Sequence, residues 1–158
     1  MIRALYPGSF DPVTRGHMDL VERALRLFDS VTVAVAVNRA KQTLMPIEER
    51  VELLRAVLPK NVEVTTFQGL VVDYCKREGF GAILRGLRTV SDFEYEYQMA
   101  LTNRHLNQDV ETVFVMPSAR YSYISSSLIK DIVRHGGDVG AFLVPVVEER
   151  LRRRLEKT

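Results

Sequence analysis

A short stretch near the N-terminus combines the residue types that bind phosphate. Residues 9–17 read Ser-Phe-Asp-Pro-Val-Thr-Arg-Gly-His and lie between an apolar segment and an amphipathic one. Backbone N–H groups at the start of a helix are unpaired and attract anions. The imidazole of His17 can donate a hydrogen bond to a phosphoryl oxygen, although it could instead only cap or pack at a helix entrance. The spacing matches neither the dinucleotide fingerprint nor the phosphate loop, so we predict a nucleotide site of another kind.

Two further clusters have the chemistry of phosphate ligands. Arg85 and Arg88 flank Gly86, and crowding two guanidinium groups is costly unless anions neutralise them, which favours phosphate contact. Three hydroxyls at Ser125–Ser127 precede an amphipathic segment. They predict a second phosphate cradle at a helix N-terminus, and the alternative is N-capping, for which one serine suffices.

Alternating short apolar and longer amphipathic segments predict the elements that position these residues. Predicted strands cover 2–6, 31–37, 62–67, 82–84 and 111–116, and predicted helices cover 16–28, 46–58, 70–78, 91–106, 125–135 and 145–157. Pro7-Gly8 is predicted to end the first strand, and Ser91–Glu94 to form the capping box of the fourth helix. This alternation predicts an α/β fold with a doubly wound, five-stranded parallel sheet, as a single domain of residues 1–158.

The polar clusters follow the predicted strands, where parallel sheets bind ligands. They comprise 9–17, 38–41, 70–71, 85–88 and 118–127. Because the carboxyl ends of parallel strands share one edge, we expect the five clusters to meet there. For Lys41, the alternative is a solvated lysine in a polar loop.

Composition excludes several classes of function. The net charge is +2 in 158 residues, which argues against a general nucleic-acid binder, and the arginines at 150 and 152–154 are interpreted as a solvated helix face. The single cysteine, Cys75, excludes an intramolecular disulfide and fits a reducing compartment. We see no signal peptide, no apolar run of the ~20 residues that span a bilayer, and no metal-ligand spacing. We therefore expect a cytoplasmic protein without membrane or nucleic-acid partners.

Several motifs together resemble the bacterial phosphopantetheine adenylyltransferases, which belong to a nucleotidyltransferase superfamily with a Thr-x-Gly-His or His-x-Gly-His motif. The motifs are YPGSFDP at 6–12, TRGH at 14–17, RGLR at 85–88, DFEYE at 92–96 and ISSS at 124–127. The tetrad alone marks the superfamily, whereas RGLR combined with DFEYE is more specific. Ser9 and Tyr121 stand where some members carry Thr and Trp.

The resemblance implies a Rossmann-like nucleotidyltransferase fold and a reaction of coenzyme A biosynthesis. ATP and 4'-phosphopantetheine would give dephospho-coenzyme A and pyrophosphate by direct in-line displacement. The resemblance also implies Mg²⁺, held mainly by the ATP phosphates, and a homohexamer built as a dimer of trimers.

Site residues are carried over by motif. The resemblance implies that His17 stabilises the transition state and that Lys41 and Arg88 assist catalysis. The implied ATP ligands are Ser9, Phe10, His17, Gly86, Leu87, Arg88, Glu96, Tyr121, Ser122, Tyr123, Ile124, Ser125, Ser126 and Ser127. The implied 4'-phosphopantetheine ligands are Ser9, Lys41, Val71 and Arg85.

Three alternatives stay open from the residues themselves. Another transferase of the same fold would use a different phosphorylated acceptor. A non-catalytic nucleotide or coenzyme A sensor would bind without turnover, and it predicts loss of His17 or a basic residue, which this chain retains. A nucleic-acid-binding module has little support beyond the C-terminal arginines.

Overall fold

A parallel sheet of five strands forms the centre of the molecule in the computed structural model, which describes residues 1–38 and 40–157. The strands are β1 (Arg3–Gly8), β2 (Ser30–Ala36), β3 (Glu63–Phe67), β4 (Ala82–Gly86) and β5 (Glu111–Val115). Their order across the sheet is β3-β2-β1-β4-β5, and every neighbouring pair is parallel. The predicted α/β class and strand number are confirmed. Arg39, inside the predicted polar cluster at 38–41, lies outside the described residues.

Helices cover both faces of the sheet. They are α1 (Arg15–Ala24), α2 (Ile47–Val57), α3 (Val71–Glu78), α4 (Val90–Leu106), α5 (Ser126–Arg134) and α6 (Pro145–Glu156), with a 3₁₀ turn at Ala119–Tyr121. Valines of β2 pack on one face against α1, α2, α5 and α6. The other face packs against α3, whose Cys75 is fully buried, as expected for a structural thiol. Burial raises the pKa of that thiol to about 12. Across the described residues, no helix has the length and apolarity that a membrane span requires.

The sheet opens between β1 and β4. The prediction that Pro7-Gly8 ends the first strand is wrong, because β1 pairs with β2 as far as Gly8. Its pairing with β4, in contrast, is limited to Ala4 and Leu5. The chain order reverses at this point, and such a switch point leaves a crevice beyond the carboxyl ends of the strands. Arg85, which β4 carries beyond its predicted end at residue 84, lies beside this crevice and donates to the Pro7 carbonyl at 3.0 Å.

Two helix boundaries also differ from the predictions. The capping box at Ser91–Glu94 is wrong, because Thr89 has extended backbone and its hydroxyl accepts the Asp92 N–H at 3.3 Å, so α4 begins earlier. Helix α1 ends at Ala24, and 25–28 continue only as hydrogen-bonded turns.

Two of the C-terminal arginines form ion pairs with a buried carboxylate. Arg150 and Arg154 donate to the two carboxylate oxygens of Glu49 at 3.1 and 2.7 Å, and Glu49 is only 7% exposed. The predicted solvated face is therefore wrong for these two residues, which fasten α6 to α2. Arg153 matches the prediction, since it is exposed and pairs with Glu149 on its own helix.

Candidate active site

A cavity of about 630 Å³ occupies the crevice at the carboxyl edge of the sheet. Loops after β1, β2, β4 and β5 contribute to its wall. Among the predicted site residues it is lined by Ser9, Phe10, His17, Lys41, Val71, Arg85, Gly86, Arg88, Glu96, Tyr121, Ile124, Ser125, Ser126 and Ser127. Chain segments more than a hundred residues apart thus meet at the carboxyl edge of the sheet, where the order of the strands predicted them.

Three predicted site residues are not part of the cavity lining that the described residues form. The Leu87 N–H donates to the Val115 carbonyl at 3.1 Å, and the Ser122 hydroxyl donates to the Ala119 carbonyl at 2.8 Å. Tyr123 is exposed and makes an edge contact with Phe142. In this structure, the three residues contribute to the shape of the loops.

His17 is held by a reciprocal cap at the start of α1. The Thr14 hydroxyl accepts the His17 backbone N–H at 3.3 Å, and the Thr14 N–H donates to His17 Nδ1 at 2.9 Å. Because a backbone N–H only donates, Nδ1 is the acceptor, and the proton of the neutral ring is on Nε2. The Phe10 ring packs edge-on against the imidazole with centroids 4.9 Å apart. The cap thus defines both the tautomer and the orientation of a donor in the cavity wall.

The imidazole is neutral at physiological pH. Burial, together with the charges of Arg88 and Arg85, lowers its pKa from 6.5 to about 4. A neutral His17 can donate through Nε2 without adding a fixed positive charge to the cavity.

This pKa makes stability depend on pH. Between pH 6.5 and about 4 the unfolded chain protonates His17 and the folded chain does not, so we expect the free energy of unfolding to fall on acidification. Below that pH range, the loss in the free energy of unfolding that is due to His17 should reach about 3 kcal/mol. Denaturant titrations of the wild type and His17→Asn at several pH values measure it. If the stability difference between the two proteins stays constant from pH 7 to 4, folding does not lower the pKa of the imidazole.

Arg85 is neutralised from within the protein. Its Nε and Nη2 donate to the two oxygens of Glu96 at 2.8 and 2.5 Å, and Glu96 is 7% exposed. Arg85 therefore does not need a bound anion to balance its charge, in contrast to the argument from crowded guanidinium groups. Burial alone would lower the pKa of Arg85, but the ion pair with Glu96 raises it. Glu96 orients the guanidinium, of which two N–H groups remain for a ligand.

Arg88 joins two loops of the cavity wall. Its Nε donates to Asp92 at 3.0 Å, and its Nη1 donates to the Ile124 carbonyl at 2.6 Å. The segment after β4 is thereby connected to the segment that leads into α5.

The three serines at the start of α5 have different partners. The Ser125 hydroxyl accepts the Leu128 N–H at 3.1 Å. Ser125 is therefore the N-cap of α5, which is the alternative that the sequence left open. The Ser126 hydroxyl donates to the Pro12 carbonyl at 2.8 Å. The Ser127 hydroxyl has no hydrogen-bond partner within the described part of the chain. Together with the unpaired N–H groups of the first helical turn, it is the part of the predicted cradle that can bind an anion.

Sequence reasoning missed the residues that support the loop after β1. Asp11, which is 5% exposed, accepts from the Leu44 and Met45 N–H groups and from Lys130, each at 2.9 Å. Arg50 donates to the Ser9 carbonyl at 2.7 Å. Lys130 follows Ser126 by one helical turn, a spacing that could have placed it beside the cradle. Nothing in the local pattern distinguishes Arg50 from a solvated arginine.

The cavity does not offer a protein-held metal site within the described residues. No group of three His, Cys, Asp or Glu side chains is close enough to hold a metal ion. The carboxylates that line the cavity are Asp11, Asp92 and Glu96, and each is paired with a cation of the protein. This donor set suits an anionic ligand that brings its own cation.

Comparison with known proteins agrees with this geometry. The family model described as cytidylyltransferase-like matches residues 5–132, which include most of β1 and the other four strands in full, and the chain belongs to this family of nucleotidyltransferases. The phosphopantetheine adenylyltransferase of Caldanaerobacter subterraneus subsp. tengcongensis is 52% identical over 157 residues, 98% of each chain. Within the family, the chain therefore belongs with the phosphopantetheine adenylyltransferases, which confirms the resemblance found in the sequence.

Two solved structures share the fold. A putative nicotinate-nucleotide adenylyltransferase from Vibrio parahaemolyticus has a TM-score of 0.72 and 17% identity, over 100% of this chain and 98% of that one. A lipopolysaccharide core biosynthesis protein from Thermoplasma volcanium has a TM-score of 0.54 and 21% identity, over 75% of this chain and 97% of that one. At these identities the likeness concerns the fold, and the predicted Rossmann-like nucleotidyltransferase fold is confirmed.

Proposed function

We propose that this protein transfers the adenylyl group of ATP to 4'-phosphopantetheine, giving dephospho-coenzyme A and pyrophosphate. The observation that carries the proposal is the convergence on one cavity of neutral His17, the cations Lys41 and Arg88, and the mouth of α5. Membership of the phosphopantetheine adenylyltransferases supports the choice of acceptor.

The acceptor brings its own nucleophile. An oxygen of the phosphate monoester attacks the α-phosphorus of ATP, the new P–O bond forms, and the bond to the β-phosphate breaks to release pyrophosphate. No side-chain nucleophile or strong base is needed, so the protein contributes alignment and stabilisation of developing charge. In this proposal His17 Nε2 donates to a non-bridging oxygen of the α-phosphate as that oxygen gains charge.

The basic side chains of the cavity would bind two different anionic groups, the acceptor phosphate and the departing pyrophosphate. Lys41, whose Nζ donates to the Ser9 hydroxyl at 3.0 Å, and Arg85 would bind the acceptor phosphate, with Val71 beside the pantetheine arm. Arg88 and the N–H groups of α5 would stabilise the departing pyrophosphate. Four other predicted ATP ligands that line the cavity would surround the nucleoside, namely Phe10, Gly86, Tyr121 and Ile124. Glu96 contributes by holding Arg85.

Mg²⁺ enters the proposal on the phosphates of ATP. The ion-paired carboxylates of the cavity fit a metal that arrives with the nucleotide. When bound, Mg²⁺ would neutralise phosphate charge and so ease the approach of two polyanions.

Replacement of Lys41 tests the assignment of the acceptor site. Lys41→Ala should raise the KM for 4'-phosphopantetheine by about tenfold and leave the KM for ATP within about twofold, because a charged hydrogen bond to phosphate is lost on one side only. Initial-rate kinetics with each substrate varied measure both constants. Lys60→Ala, at an exposed site away from the cavity, is the matched control. A larger effect on ATP than on the acceptor would contradict the assignment.

The function itself is tested by product identification. Incubation with ATP, Mg²⁺ and 4'-phosphopantetheine, followed by mass spectrometry, should show dephospho-coenzyme A and pyrophosphate in equal amounts. A panel of other phosphorylated acceptors separates this activity from another transferase of the same fold. Tight nucleotide binding without any product would instead support a sensor.

We also propose a homohexamer that works in the cytoplasm. Helix α4 supports self-association, because it exposes large apolar side chains along much of its length, and a second copy of the chain would bury them. They are Val90, Phe93, Tyr95, Tyr97, Met99, Leu101 and Leu106. Light scattering should give a mass of six chains, and a monomer would contradict the assembly.

A further inference from the structure

Asp19, on α1, is the centre of a polar cluster outside the cavity. The Ser118 N–H donates to its Oδ2 at 2.8 Å, and the Ser118 hydroxyl donates to its Oδ1 at 2.7 Å. Arg23 donates from Nε to Asp19 Oδ2 at 3.0 Å and from Nη2 to the Ser118 hydroxyl at 2.9 Å. Both carboxylate oxygens and the Ser118 hydroxyl are thus engaged in one closed network, which we call the Asp19 cluster. The side chain of Asp19 is 15% exposed.

The Asp19 cluster joins the two elements that would hold the nucleotide from opposite sides. Asp19 lies two residues after His17 on α1. Ser118 begins the 3₁₀ turn that leads to Tyr121 and on to the Ser125 cap. The hydroxyl of Ser118 does not cap its own turn, since it donates to Asp19 and accepts from Arg23. The hydrogen bonds of Ser118 therefore hold the start of the 118–127 segment in place relative to α1, the helix that carries His17.

Beside the Asp19 cluster, a small cleft separates α1 from the 3₁₀ turn, with Arg15, Glu22 and Arg120 on its walls. The two elements also come close at Gly16, where an added Cβ would stand 3.4 Å from the Tyr121 Cβ. Burial alone would raise the pKa of Asp19, but hydrogen bonds from Ser118 and Arg23 lower it, so the carboxylate stays charged. Two of the donors to this charged acceptor, the N–H and the hydroxyl of Ser118, cross the cleft, and hydrogen bonds to a charged group are stronger than neutral ones.

We infer that Asp19 is a positioning residue, which fixes the distance between His17 and the 118–127 segment and so sets the affinity for the nucleotide. The inference rests on the proposed function in taking ATP as the ligand between these two elements. It assigns no contact between Asp19 and the substrate. Asp19 acts through Ser118.

Matched charge removals on one helix test this role. Asp19→Asn keeps the size of the side chain and removes its charge, and Glu22→Gln does the same at an exposed position one turn away. Calorimetry with Mg·ATP alone should show about tenfold weaker binding for Asp19→Asn and Ser118→Ala, and no change for Glu22→Gln. The KM for ATP should rise accordingly, while the KM for 4'-phosphopantetheine stays within about twofold. Unchanged ATP affinity, or equal losses for both substrates, would overturn the inference.

Hydrogen exchange separates this inference from the proposed function. Without any ligand, Asp19→Asn should speed exchange of the Tyr121, Ser122 and Ile124 amides, which donate within the segment. The Leu44 and Met45 amides, which Asp11 holds, should exchange as in the wild type. Slow exchange at 121–124 in the variant would overturn the inference even if catalysis follows the proposal. Loosening of these amides would support it even if the acceptor proves to be different.

Discussion

Replacing His17 with asparagine should lower kcat by about a hundredfold or more and leave the fold intact. The amide oxygen of asparagine can take the place of Nδ1 and accept the Thr14 N–H, so the cap of α1 is retained. The side chain is too short to replace Nε2, so the donor to the α-phosphate is lost. Loss of one preorganised donor to developing charge costs on the order of 3 kcal/mol in the barrier. The loss should fall on kcat, because the charge develops mainly in the transition state.

Glutamine at the same position is the matched control. Its amide nitrogen reaches about as far as Nε2, but it has no acceptor in the place of Nδ1. His17→Gln should therefore keep more of kcat than His17→Asn while losing about 1 kcal/mol of stability with the cap. Single-turnover rates and denaturant unfolding of both variants measure these two effects separately. Near-normal turnover by His17→Asn would show that the imidazole only caps the helix, which is the alternative left open by the sequence.

The elements were predictable because their signals are local. Helix α2 begins after Pro46 and ends before Pro59, and β2 is an apolar run, so both lie within a residue or two of their predicted bounds. The start of α4 was missed because Thr89 and Ser91 are both good caps, and only the backbone conformation decides between them. The end of β4 was missed because Arg85 looks like a loop residue until its carboxylate partner is known.

The location of the site followed from chain order, but its internal pairing did not. Every polar cluster after a strand had to reach the same edge of a parallel sheet, so residues far apart in sequence could be grouped without coordinates. The ion pairs of Arg85 with Glu96 and of Asp11 with Lys130 join residues 11 and 119 positions apart. No local spacing relates such partners. A buried carboxylate therefore could not be told from a solvated one.

Replacing Asp11 with alanine should cost about 3 kcal/mol of stability and weaken acceptor binding. The substitution leaves the Leu44 and Met45 N–H groups and the ammonium of Lys130 without their shared acceptor, and all three groups are largely shielded from water. Burial alone would raise the pKa of Asp11, but these donors lower it, so the wild-type carboxylate is charged at neutral pH. Because Asp11 anchors the end of the segment that carries Lys41, the KM for 4'-phosphopantetheine should rise.

Removing the charge of Lys130 as well shows whether the loss of stability in Asp11→Ala comes from the broken ion pair. In Asp11→Ala with Lys130→Met the unpaired ammonium is gone, so the double variant should be more stable than the sum of the single losses implies. Denaturant unfolding of the four proteins of this cycle measures the coupling, and exposed Asp109→Ala serves as the control for loss of an aspartate. If the two losses simply add, Asp11 acts only through the backbone of 44–45. If Asp11→Ala is as stable as the wild type, the hydrogen bonds from Arg50 to the Ser9 carbonyl and from Ser126 to the Pro12 carbonyl suffice to hold the loop after β1.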